Sequence, residues 1–124
     1  MMGRFFLAAG SIVLAVAVAM GAVAAHGASF AARPDSAHLL QVAVLYQFVH
    51  GLGLVAVGVL ARASPSRLLN AAGTFHLAGI VAFCGSVYLL ALAGTSMGLL
   101  VPVGGTAFIL GWLNLAGFAI LEKA

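Results

Sequence analysis

Three polar side chains stand close together in an otherwise apolar stretch: Tyr46-Gln47-x-x-His50. Gln47 and His50 are three residues apart, and Tyr46 and His50 four, so on a helix all three share one broad face. An imidazole there has several uses. A neutral histidine titrating near neutral pH can relay protons, with Gln47 and Tyr46 holding its tautomer. Histidines at one depth on two helices can ligate a haem iron from both sides. Polar groups in the outer half of a membrane can line a pocket for a small solute. Against these stands packing, because polar residues in membranes often hydrogen-bond across helices and fix their arrangement.

Other chemistry is poorly represented. Asp35 is the only aspartate and Glu122 the only glutamate, so no Ser-His-Asp set or carboxylate pair can be assembled. Metal spacings such as H-E-x-x-H or C-x-x-C are absent. Gly51-Leu52-Gly53 lacks the third glycine of a dinucleotide fingerprint. The expectation is a protein without enzymatic activity, cofactor or resident metal. Cys84, the single cysteine, rules out a disulfide within the chain.

The elements that position these residues follow from composition. Of 124 residues, 65% are hydrophobic and 6% charged, with a mean hydropathy of +1.24. Soluble domains carry about 25% charged residues, so this chain belongs in a lipid bilayer. Five Lys/Arg are too few and too scattered for a nucleic-acid surface. Uncharged stretches near 5–26, 39–61, 68–93 and 99–121 are each long enough to cross a hydrocarbon core of about 30 Å, which takes roughly 20 helical residues. The breaks carry turn chemistry: Arg33-Pro34-Asp35-Ser36, Arg62 to Arg67, and Gly94 to Gly98. Ser64 or Ser66 suits the N-cap of the third helix, with Pro65 near its first turn. The fold class is therefore all-α, an integral membrane four-helix bundle in a single domain.

Arg4, Arg62, Arg67 and Lys123 fall on one side of such a bundle and Arg33 on the other. The positive-inside rule then places both termini and the middle loop in the cytoplasm, and the loops near His26 and His38 outside. The run Met20 to Phe30 resembles a signal-peptidase site. However, Phe5 to Ala25 is longer than the roughly 7–15 residues of a signal-peptide core. We therefore expect it to be retained as the first transmembrane helix of an inner-membrane, multi-pass protein. Counting from Leu39 and Leu68, His50 and His76 lie at similar depth, roughly 16 Å below one surface and roughly 12 Å above the other. Gly10, Ala17 and Ala24, then Gly73, Gly79 and Ser86, then Gly104, Ala107, Gly111 and Asn114 recur along single helix sides. Small residues there let helices approach closely. Pro102 with Gly104 and Gly105 predicts a bend or irregular turn early in the fourth span.

Four blocks together resemble a known family. Gly21-Ala-Val-Ala-Ala-His26-Gly27 is similar to the GAxxAHG signature of the family called domain of unknown function 423. Tyr46-Gln47-x-x-His50 resembles its YQxxHxL block, and Gly79-Ile80 through Phe83-Cys84-Gly85-Ser86-Val87-Tyr88 its GIxxFSGSxY block. Val101-Pro102-Val103-Gly104-Gly105 with Gly111-Trp112 is similar to its TPIGG…GW ending. Cys84 replaces the family's usual serine, and His38, His76 and Asn114 fall outside its motifs. The resemblance implies a small multi-pass membrane protein of undefined activity, whose animal relatives are called transmembrane protein 256. Polar groups inside a bilayer are expensive and tend to face protein or water, which makes Tyr46, Gln47, His50, His76, Ser86, Tyr88, Thr106 and Asn114 candidates. Of these, Tyr46, Gln47, His50, Ser86 and Tyr88 are the expected polar site within the membrane, with His26 and Gly27 at the interface. For His50 the expected hydrogen-bond partners are Gln47, Ser86, Tyr88, or backbone near Gly104-Gly105. Two roles stay open: an accessory or scaffold protein within a homo-oligomer or larger membrane complex, or a conduit for protons or a small neutral solute through Gln47 and His50. A haem-binding bundle is a more remote alternative.

Overall fold

A computed structural model describes residues 2–27 and 34–122. Arg33 and Lys123, two of the residues behind the orientation argument, lie outside the described residues. Every described element is helical: α1 (Met2–His26), α2 (Pro34–Ala63), α3 (Arg67–Gly79), a π-helical turn (Ile80–Cys84), α4 (Gly85–Ala93) and α5 (Leu100–Leu121). The chain Arg67–Ala93 runs through α3, the π turn and α4 without a break. Among the described residues there are thus four helices long and apolar enough to cross a membrane. In lipid no water is available to a free N–H or C=O, so each crossing segment must satisfy its backbone internally, as a helix does.

The ends obey ordinary rules. Pro34 opens α2 at a position where its missing N–H costs nothing, so Pro34, Asp35 and Ser36 form a first helical turn rather than a loop. Ser66, not Ser64, caps α3: its Oγ accepts from the N–H groups of Leu68 and Leu69 at 3.1 and 3.3 Å. The same hydroxyl donates to Glu122 Oε1 at 2.7 Å, which fastens the end of α5 to the start of α3. Gly94, at φ 69°, closes α4 in the left-handed conformation, with its N–H on Leu90 O at 3.1 Å.

Helices α2 and α3–α4 are the inner pair. They bury a much larger share of their length than α1 or α5. Helix α1 lies along α2, and α5 along the third span. Close approach is built from small residues. A Cβ on Gly58 would sit 2.5 Å from Leu7 N, and one on Gly10 2.9 Å from Val55 N, so α1 and α2 meet backbone to backbone. Phe6, Leu54, Val57, Leu69, Ala72, Ile80 and Phe108 form the buried core between the spans. Arg4, Arg62, Arg67 and Glu122 gather at one end of the molecule, since Gly3 abuts Arg62 and Ser66 holds Glu122.

The irregular turn expected at Pro102, Gly104 and Gly105 is not there. Helix α5 is uninterrupted from Leu100, with Val103 N bonded to Leu99 O at 3.0 Å. Pro102 occupies the first turn, where no N–H is required. The irregularity lies across the interface, in the π turn Ile80–Cys84. A Cβ on Gly104 would fall 2.7 Å from Phe83 Cβ and into the Phe83 backbone. The glycine thus makes room for the wider turn on its neighbour.

Candidate functional site

The polar residues buried between the spans form two separate clusters. The first centres on Gln47, which α2 turns inward and buries. Its Nε2 donates to Val13 O of α1 at 2.9 Å. Its Oε1 accepts from the Tyr88 hydroxyl of α4 at 2.5 Å. One amide therefore joins α1, α2 and the third span, and both its donor and acceptor ends are engaged. Tyr88 reaches Gln47 because α4 follows the π turn: the extra residue rotates the helix relative to a continuous α-helix.

The second cluster centres on two histidines. His50 shares a face with Gln47 in sequence, but it points between α2 and α5. Its Nδ1 lies 2.8 Å from Tyr46 O on its own helix. A carbonyl oxygen only accepts, so that nitrogen carries the proton and Nε2 carries the lone pair. The ring stacks on Phe108, with centroids 3.5 Å apart and planes 13° from parallel. His76, on α3, repeats the arrangement: Nδ1 lies 2.7 Å from Ala72 O, so its Nε2 is also an acceptor. The His76 side chain is 0% exposed, and its Nε2 has no hydrogen-bond partner. The two imidazole centroids are 5.7 Å apart. Trp112 closes the group, edge-on to His76 at 4.7 Å and 5.9 Å from His50.

Glycines admit His76 on both sides. A Cβ on Gly53 of α2 would fall 2.7 Å from His76 Nε2. One on Gly111 of α5 would run into the other edge of the ring. The unbonded nitrogen thus faces α2 one turn beyond His50.

Of the residues singled out from sequence, Gln47 and Tyr88 meet as a bonded pair. Ser86 is buried on α4 and, with Gln47 and Tyr88, forms no hydrogen bond to His50; nor does the backbone at Gly104-Gly105. The expected partners of His50 are thus replaced by its own helix backbone and by aromatic rings. The reason is rotation: Gln47 is drawn toward Val13 and Tyr88, while the turn containing His50 faces Phe108. Tyr46 remains 39% exposed, its ring 4.6 Å from Phe83, and contributes its carbonyl rather than its hydroxyl. His26 ends α1 and is exposed, followed by Gly27, whose N–H bonds Val23 O at 2.8 Å. Thr106 and Asn114 bond backbone within α5.

The sequence makes His76 a candidate but leaves it out of the expected site, and it does not foresee the aromatic rings of Phe108 on His50 and Trp112 on His76. The signal available was depth: counting along the spans placed His76 level with His50. A haem between the two histidines would have to displace Phe108 from the His50 face, so the packing gives that alternative no support. Among the described residues no three His, Cys, Asp or Glu side chains come together as a metal site. Shallow apolar grooves mark the perimeter. One of about 290 Å³ is lined by Leu45, Tyr46, Val49 and His50; another of about 470 Å³ lies between Phe75 and Ala78 of α3 and Pro102, Val103, Thr106, Ala107 and Leu110 of α5.

Comparison with known proteins agrees with this architecture. The profile of the family described as Protein of unknown function (DUF423) matches residues 20–105. A UPF0382 membrane protein of Staphylococcus haemolyticus is 37% identical over 90% of this chain and 92% of its own length. The UPF0382 membrane protein YwdK of Bacillus subtilis is 34% identical over 94% and 97%, and a UPF0382 membrane protein of Haemophilus influenzae is 33% identical over 86% of each. No solved structure matches significantly.

Proposed function

We propose that this chain, which belongs to the family Protein of unknown function (DUF423), is an accessory or scaffold protein of the inner membrane. In this reading it is not an enzyme; it packs as a homo-oligomer or within a larger membrane complex. The observation that carries this reading is the use made of Gln47. Its amide is spent on Val13 O and the Tyr88 hydroxyl, a clamp between helices rather than the lining of a water path. Such interhelical bonds are the common role of amides in membrane proteins. The perimeter grooves, apolar and open sideways, suit neighbouring helices or lipid better than an aqueous solute.

Affinity purification of the full chain in mild detergent, with crosslinking in native membranes, tests the proposal. A partner protein or a defined oligomer recovered in fixed ratio is the expected result. Monomer alone under both conditions overturns it. One observation favours the second reading, a conduit for protons or a small neutral solute: the unbonded Nε2 of His76 beside His50. That reading requires pH-dependent flux through liposomes carrying the purified protein, abolished by His50→Gln. Wild-type liposomes without flux eliminate it.

A further inference from the structure

We propose that His50 and His76 form a two-coordinate site for a soft monovalent metal ion, of the copper(I) or silver(I) type. The proposal is independent of the accessory role. It starts from the tautomers. Both rings are tied through Nδ1 to a carbonyl one turn back on their own helices, at 2.8 and 2.7 Å. Metal-binding histidines are oriented in this way, one ring nitrogen donating to a carbonyl while the other keeps its lone pair for the ion. Here both lone pairs are on Nε2.

His76 Nε2 is fully buried without a partner, and a buried acceptor left unpaired is unfavourable. That nitrogen faces α2 next to the turn carrying His50, as its position against Gly53 requires. The ring centroids lie 5.7 Å apart with their planes 50° from parallel, so an ion about 2 Å from each nitrogen would require the His50 ring to turn its Nε2 toward His76 and the two rings to part slightly. No hydrogen bond joins the rings directly.

The surroundings select the ion. Every charged residue among those described lies at a helix end, so no carboxylate can offset a divalent ion at this depth, where uncompensated charge is costly. A single positive charge is the least costly to hold, and the Phe108 ring stacks face to face on His50 beside it. Imidazole nitrogens suit copper, and a filled-shell monovalent ion accepts two ligands without the larger shell that zinc demands.

Trp112, the only tryptophan, reports on the site. Silver nitrate is titrated into purified full-length protein in chloride-free detergent solution, in a Cys84→Ala background that removes the competing thiol. The expected result is saturable quenching of Trp112 at one ion per chain, weakened at least about tenfold by His50→Gln and by His76→Gln. His26→Gln and His38→Gln should leave it unchanged. Should either site variant lose its helical circular dichroism, X-ray absorption of copper(I)-loaded Cys84→Ala protein decides: two nitrogen scatterers near about 2 Å support the site. Sulfur scatterers, quenching that survives both substitutions, or no saturable binding would each overturn it. A Trp112 signal that follows pH but ignores silver would also overturn it and assign the pair to protons.

Discussion

Gln47 is the residue on which the arrangement of three helices turns. Replacing it with Leu removes two interhelical hydrogen bonds and leaves the Tyr88 hydroxyl without its acceptor. Interhelical bonds in membranes are worth about 0.6 kcal/mol on average and at most about 1.7. Gln47→Leu should therefore lower thermal stability in detergent by about 1–2 kcal/mol, and Tyr88→Phe by less. In a double-mutant cycle Tyr88→Phe should add almost nothing once Gln47 is Leu. Full additivity would mean that the two side chains do not interact. A second test at this scale concerns space around His76. Gly53→Ala places a methyl 2.7 Å from Nε2, an overpacking that should cost about 1–3 kcal/mol, whereas Gly105→Ala, with nothing near its Cβ, should be neutral or slightly stabilising. Thermal melts of the two proteins check this; equal melting temperatures would show that His76 can move aside. How each polar side chain was bonded could not be read at this scale. Spacing put Tyr46, Gln47 and His50 on one broad face, but a face that wide meets three neighbours, and only the rotation of α2 divides it among them.

At the scale of elements the π turn Ile80–Cys84 is the feature with consequences. It adds a residue to one turn and so sets the rotation of everything on α4 relative to α3. Deleting Ala82 should restore a continuous α-helix and rotate α4 by about 100°. Tyr88 would leave Gln47, and buried Ser86, Val87 and Ala91 would leave their places. We expect a folded, helical but destabilised protein in which Tyr88→Phe has no further effect. A deletion variant as stable as the parent would mean that the turn positions nothing. Sequence placed the irregularity on the wrong partner. Pro102, Gly104 and Gly105 are local breakers of helices in water, but here Gly104 is a contact surface for Phe83. The π turn sits in Ile80-Val81-Ala82-Phe83-Cys84, which carries no breaker at all.

For the whole molecule, four long apolar helices and family membership agree on a membrane protein. Orientation rests on Arg4, Arg62 and Arg67, which the fold brings to one end. Reporter fusions after Arg67 and at the C-terminus should report cytoplasm, and a fusion near Asp35 the outside. Opposite results at any two of these sites would reverse the assignment. The inner pair α2 and α3–α4 is flanked by α1 and α5, which bury a much smaller share of their length.

The class of the fold was legible in the residues themselves, because crossing lipid is a local requirement: each stretch must be apolar and must satisfy its own backbone. The same holds for a serine cap before the third span, which the sequence leaves between Ser64 and Ser66, for the glycine turn at Gly94 and for the polar identity of Gln47 and His50. The pairing of His50 with His76, the Gln47 clamp and the π turn were decided by tertiary structure alone. These depend on how far each helix rotates about its axis, and in lipid that rotation is set by close contacts between distant segments, Leu7 on Gly58 and Phe83 on Gly104, rather than by any property of one segment.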